Sequence, residues 1–197
     1  MYLAVHCGEQ DQAEQDLEPL RRFGSPIADL SGPMRYLDVQ AFFDADYPAH
    51  EMRYYWKSHF LRGLPDEAVA TMVELNERAP SPHSTIDLWQ LGGAFARTGP
   101  QDTAFGDRSA PFLIGIECNW EHEADDGASI AWGREVFDRL QPYATGGQYV
   151  NFPGLYEDND AMVRGSFGQN LGRLTAIKKQ YDPTNLFRLN HNIALGQ

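Results

Sequence analysis

The sequence predicts an α+β fold, a mainly antiparallel sheet with helices packed on one face. Three observations carry this. Short runs rich in aromatic and β-branched residues alternate with longer stretches whose apolar positions recur at helical spacing. The joins between them are rich in glycine, proline and aspartate, with no low-complexity linker. A chain of 197 residues is long enough to close a substantial core around such elements.

The elements follow in order. Residues 2–7 (YLAVHC) read as a short apolar strand, and 26–30 (PIADL) as a return strand. Between them Ala13, Leu17 and Leu20 define a helix at about 11–22, so 2–30 is expected to form a β-α-β unit. Pro19 lies inside that pattern and is expected to kink or break the helix. A turn-rich connection with one helical turn near 38–43 leads to a strand at 52–60 (MRYYWKSHF). Pro65, Asp66 and Glu67 suit the start of a helix over 65–78, which Pro80 and Pro82 end. A strand at 83–91 places Ile86, Leu88 and Gln90 on one face. Residues 92–111 read as loop, 112–120 (FLIGIECNW) as the clearest strand, and 125–140 as an amphipathic helix. A strand at 146–152, a polar loop with a helical turn at 153–167, a helix at 169–181 and an extended tail over 184–197 complete the chain.

Composition excludes several functions. Sixteen basic against 28 acidic residues give a net charge of −12, which argues against nucleic-acid partners. No run approaches the roughly 20 apolar residues of a membrane helix, and no signal peptide opens the chain. An acidic, soluble, cytoplasmic protein is expected. Cys7 and Cys118 are too few for a structural zinc site and read as inert thiols in apolar strands. The six histidines show no metal-ligand spacing, so no metal is expected, and Glu121-His122-Glu123 reads as a solvated loop.

Three segments could carry chemistry. In Gly92-Gly93-Ala94-Phe95-Ala96-Arg97 the glycines permit close approach and the arginine could hold an anion. In Thr103-Ala104-Phe105-Gly106-Asp107-Arg108 a second arginine follows an aromatic, with an Arg–Asp pair as the plain structural explanation. The strongest segment combines Tyr149-Val150-Asn151-Phe152, Arg173, Lys178 and the run from Tyr181 to Ile193. Asn190 and Asn192 stand two apart. In an extended tail both amides would project to one side, either toward a flat polar ligand or onto backbone.

The string YVNF followed by RL..IKK.YDP.NLFRLN.NI resembles the C-terminal signature of the berberine-bridge-enzyme-like FAD-linked oxidoreductases, flavoproteins of the vanillyl-alcohol-oxidase type. PLR.FG.P.AD near 19–29, YYWKSHF, PSP, GGAFAR and TAFGDR extend the resemblance in order over nearly all of the chain. It implies a substrate-binding domain over 1–145 and, over 146–197, a C-terminal segment packing on it and facing a flavin domain. It implies FAD as cofactor, and an FAD-binding domain that is absent from these residues. The chain's opening on an apolar run then reads as a start near a domain junction.

Carried over by motif, Tyr149 and Asn151 lie near the flavin, and Asn190 and Asn192 approach its ring and ribityl chain. Gln90 and Arg97 face the substrate. Phe152 stands where many members have a tyrosine proposed as base, and it cannot take a proton. Tyr149 is the candidate catalytic residue, with His59 and Glu117 as alternatives. The expected function is the substrate-domain half of an FAD-dependent oxidoreductase that moves hydride from an alcohol or amine carbon to flavin. Without a flavin domain the chain should be inactive and bind FAD weakly or not at all. Expected partners are a separate FAD-binding chain or a second copy, and a small-molecule substrate. The alternatives are a stand-alone small-molecule binding or interaction module, or a non-catalytic remnant.

Overall fold

The computed structural model describes residues 1–154 and 159–195, and two compact units divide the chain, Met1–Tyr47 and Pro48–Gln197. Part of the loop expected at 153–167, and the last two residues of the expected tail, lie outside the described residues.

The first unit holds two helices, α1 (Gln10–Arg21) and α2 (Tyr36–Gln40). The strands expected at 2–7 and 26–30 do not form, so there is no β-α-β unit. A strand needs a partner for its N–H and C=O groups. These runs are short, largely exposed and carry no ladder, so local propensity has nothing to act on. The helix continues through Pro19 to Arg21 and is not broken there, at the loss of the one backbone N–H that a proline cannot donate to the preceding turn.

The second unit is built on β1 (Arg53–Leu61), β2 (Thr85–Gln90) and β3 (Phe112–Trp120), in the order β1-β3-β2 with both pairings antiparallel. Its helices are α3 (Asp66–Glu77), α4 (Gly93–Arg97), α5 (Asp126–Leu140), α6 (Asn159–Phe167) and α7 (Leu171–Tyr181). Helix α5 lies across β1 and β3, and α3 packs beside it.

The register sorts side chains between the two faces. Tyr55 and Leu61 of β1 join Ile114, Ile116, Cys118 and Trp120 of β3 on the face beneath α5. Trp132, Val136 and Leu140 of α5 close this core from above, each buried aliphatic side chain stabilising the fold by roughly 1.5–3 kcal/mol. Gly133 allows the close approach, since a Cβ there would sit 2.5 Å from the Cys118 sulfur and 3.1 Å from the Tyr55 ring. The indole N–H of Trp132 donates to the Leu75 carbonyl at 2.8 Å and ties α5 to α3.

The open edge of β1 is covered by residues 144–154. The Thr145 N–H donates to the Phe60 carbonyl (2.8 Å) and the Phe60 N–H to the Gly147 carbonyl (3.2 Å). The strand expected at 146–152 does not form. At the next rung the Tyr149 N–H donates to the Ser58 hydroxyl (2.8 Å) instead of a ladder carbonyl. A turn closed by Phe152 N–H to the Tyr149 carbonyl (2.9 Å) follows, after which the Gly154 N–H returns to the edge at the Trp56 carbonyl (2.6 Å). The tail is not uniformly extended either: Asn185 and Asn190 both adopt positive φ, at 54° and 59°. The segment expected to be loop at 92–111 opens instead with the five-residue helix α4.

Candidate functional site

The face of the sheet opposite α5 carries the site. Even-numbered residues of β1 point there: Trp56, Ser58 and Phe60. Opposite them in register stand Glu117, Gly115 and Leu113 of β3, and beyond these Thr85, Asp87 and Trp89 of β2. Phe60, Trp89, Leu91, Phe95, Phe105, Leu113, Tyr149 and Phe152 line an open groove of about 320 Å³. That is near the lower bound of small-molecule sites. None of the eight lining side chains is charged at neutral pH.

The rings fix one another by edge contacts. Phe152 meets Trp56 at 5.2 Å and Tyr149 at 5.3 Å, and Phe95 meets Phe105 at 5.2 Å, each near perpendicular. Such pairs add roughly 0.5–1.5 kcal/mol beyond burial. Beneath them Gly115 leaves the floor open, and Trp89 and Phe152 occupy the space a side chain would take. At the rim the Asn151 amide donates to the Tyr149 phenol oxygen at 2.8 Å. Trp56 is held by its indole N–H to the Asn119 side-chain oxygen (2.7 Å), while the Asn119 amide donates to the His83 carbonyl (3.0 Å).

Of the residues expected at the site, Tyr149 and Asn151 are brought together, with Asn151 exposed and Tyr149 half-buried. Gln90 is not with them. Its register partner is Phe112, so it shares the α5 face with Ile86 and Leu88 and ends β2 exposed. Arg97 is exposed in the last turn of α4, whereas Phe95 of the same helix lines the groove. Asn190 and Asn192 do not show the two-residue alternation of an extended tail. The left-handed Asn190 turns the chain, and the Asn192 N–H donates to the Asn190 carbonyl at 3.1 Å.

His59 and Glu117, the alternative bases, separate onto opposite faces. His59 is buried under α5, its ring stacked on Phe137 at 3.8 Å and one ring nitrogen 2.9 Å from the Phe137 carbonyl. Burial holds it down to about 4, with Lys57 adding to the shift, so it is neutral at physiological pH. Glu117 is buried on the groove face, two rows along from Leu113. Burial also raises the Asp87 carboxyl above the usual range, against a hydrogen bond from Thr85.

Most of the groove lining escapes a sequence reading. Phe60, Trp89, Phe95 and Phe105 read equally as core; the backbone register places Phe60 and Trp89 on one face, and α4 and the loop after it bring Phe95 and Phe105 to the same groove. The usable signal was aromatic residues inside both glycine–arginine segments. The Arg108–Asp107 pair expected there does not form: Asp107 accepts from the Ser109 N–H at 2.8 Å, while Arg108 donates to the Phe95 carbonyl (3.3 Å) and the Thr103 hydroxyl (3.1 Å). Among the described residues no group of three or more His, Cys, Asp or Glu is placed to hold a metal ion, and no helix is long and apolar enough to cross a membrane.

Residues 148–194 match the family model described as berberine and berberine like. The chain is 27% identical to the uncharacterized FAD-linked oxidoreductase YgaK of Bacillus subtilis over 192 residues, 97% of this chain and 42% of that protein. It is 26% identical to berberine bridge enzyme-like C-2 of Nicotiana tabacum, over 87% of this chain and 34% of that protein. The fold matches the solved structure of BBE-like #28 from Arabidopsis thaliana with a TM-score of 0.76 at 20% identity, over 96% of this chain and 46% of that one. The chain thus spans less than half the length of these relatives. The C-terminal segment thus matches the berberine-like family model, nearly the whole chain is similar in sequence to FAD-linked oxidoreductases, and its fold is similar to that of a BBE-like protein.

Proposed function

We propose that this chain supplies the substrate-facing half of an FAD-dependent oxidoreductase that takes hydride from an alcohol or amine carbon. The observation that carries this is the uncharged aromatic groove with a phenol–amide pair at its rim. A flat ring system suits such a lining, whereas a pyrophosphate needs cationic or backbone donors that the eight lining side chains do not offer. The phosphates of FAD therefore require a flavin-binding domain, supplied by the same polypeptide or by another chain.

When bound, the flavin supplies the hydride acceptor. The chain's own residues do the rest. Phe60, Phe95, Phe105 and Phe152 exclude water from the reacting carbon and hold the substrate against the sheet. Tyr149, in hydrogen-bond contact with Asn151, is the rim group able to hold or pass a proton, and Phe152 beside it is not. Asn190 and Asn192 are assigned to the cofactor's polar edge on the resemblance alone.

The test is spectral. The purified chain should retain no yellow colour after dialysis and should bind FAD no more tightly than lumiflavin, which lacks the phosphates. Alcohol or amine oxidation should appear only when a flavin-binding domain is supplied. Stoichiometric FAD retention would overturn the assignment of the phosphates elsewhere. Ligand binding without turnover in the presence of the flavin domain would favour a binding module.

A further inference from the structure

Ser58 is fully buried on the groove face of β1, and its register partner, Gly115, has no side chain to meet it. On either side of it, backbone groups of β1 hold the segment that covers this edge. The Phe60 carbonyl accepts from the Thr145 N–H, the Phe60 N–H donates to the Gly147 carbonyl, and the Trp56 carbonyl accepts from the Gly154 N–H. Between these anchors the bond passes to a side chain: the Ser58 hydroxyl accepts from the Tyr149 N–H at 2.8 Å. Among the described residues no other hydrogen bond joins residues 149–153 to β1.

The change of acceptor bears on where Tyr149 stands. A ladder carbonyl lies in the plane of the sheet, whereas a side-chain oxygen at position 58 lies on the groove side of the strand. Tyr149 is drawn to that side. Its ring lies 5.3 Å from that of Phe152 and 6.4 Å from that of Phe105, and its phenol oxygen accepts from the Asn151 amide at 2.8 Å. The Tyr149 carbonyl is engaged by the Phe152 N–H. The main chain at Tyr149 therefore has one tie to the sheet, and an alanine at position 58 would leave its N–H without an acceptor.

We propose that Ser58 is a positioning residue of the groove: its hydroxyl takes the place of a ladder carbonyl and, through the Tyr149 main chain, holds the phenol at the rim. Ser58 touches no ligand itself, since it is fully buried and lies outside the eight residues that line the groove. It acts by fixing the phenol before a ligand arrives, which spares the cost of ordering it on binding. This rests on the groove being the ligand site, with Tyr149 as its rim group.

The experiment titrates lumiflavin into the full chain and follows its fluorescence. Ser58→Ala should weaken binding about tenfold, the span of one hydrogen bond. Tyr149→Phe, which removes the phenol oxygen and keeps the ring, should weaken it by a similar factor. The double variant should bind no more weakly than either single variant, because Ser58 works through Tyr149. A merely structural role would make the two losses multiply, and that result would overturn the proposal. Ser58→Thr, which keeps the acceptor, should stay within about threefold of the wild type. Hydrogen exchange on the same variants gives a readout without ligand: in Ser58→Ala the Tyr149 amide should lose protection while the Phe60 amide keeps its own. Loss at both amides would show that the hydroxyl holds the whole edge instead of the phenol, and would overturn the proposal too. Wild-type affinity in Ser58→Ala would overturn this proposal alone. Failure of the wild type to bind lumiflavin would remove the groove reading itself, and this proposal with it.

Discussion

Gly115 lies directly beneath Trp89, such that a Cβ on Gly115 would stand 2.6 Å from the nearest indole carbon and 3.3 Å from the Phe152 ring. The central strand thus gives up one side chain so that an indole and a phenyl ring can lie on it. Gly115→Ala should destabilise the fold by about 1–3 kcal/mol, the usual range for overpacking, and shift the tryptophan emission. Unfolding in urea, followed by fluorescence, checks both. Wild-type stability with unchanged emission would show that the rings are not seated as described.

His59 makes stability depend on pH. Its folded value of about 4 lies below the ordinary 6.5 because of burial, so the unfolded chain binds the proton more readily. Above pH 6.5 both states are neutral and the residue adds no pH dependence. From there down to about 4 stability should fall, at up to about 1.4 kcal/mol per pH unit. Carboxylates also contribute at the acid end, so the measurement is the difference in slope between wild type and His59→Phe. Identical slopes would place His59 in contact with water.

Asp182 ties the tail to α7. It accepts from the Lys178 ammonium (2.7 Å) and from the Leu186 (2.7 Å) and Phe187 (3.2 Å) N–H groups, and these bonds hold its carboxyl below the ordinary range. In Asp182→Ala the Leu186 and Phe187 amides should lose hydrogen-exchange protection, while amides of β3 keep theirs. Retained protection at 186 and 187 would mean that the tail is held by other contacts.

The two cysteines should react differently. Cys7 is exposed, whereas Cys118 is buried beneath α5 and burial pushes its thiol up to about 12. A thiolate-selective reagent at pH 8 should therefore modify one thiol per native chain and two in denaturant. Two fast equivalents in the native protein would contradict the packing around Gly133.

The three strands that bond to one another, and the helices at 66–77, 126–140 and 171–181, were legible because each shows a clear period, which in β1, β3, α3 and α5 coincides with a buried face. Residues 2–7 and 146–152 look equally strand-like in composition. The first lacks a neighbouring ladder, and the second trades a rung for the Ser58 hydroxyl. Neither fact is local to its segment. Tyr149 and Asn151 stand together in a contiguous motif, and their side chains meet. Gln90 was misplaced relative to them because parity along β2 is fixed only by its pairing with β3. Arg108 stands out in its glycine–arginine segment, but its partners at 95 and 103 lie on separate turns of the chain.

The alternation along β1 couples two properties that mutation would otherwise change independently. Tyr55, Lys57, His59 and Leu61 serve one side of the sheet while Trp56, Ser58 and Phe60 serve the other. A single-residue insertion or deletion within this strand would exchange the two sets, placing Trp56 under α5 and Lys57 against Phe152. Ligand preference can therefore drift by substitution at even positions, but the reading frame of β1 cannot shift without losing the fold. Relatives with different substrates should differ in the identity of these side chains and not in the length of this strand.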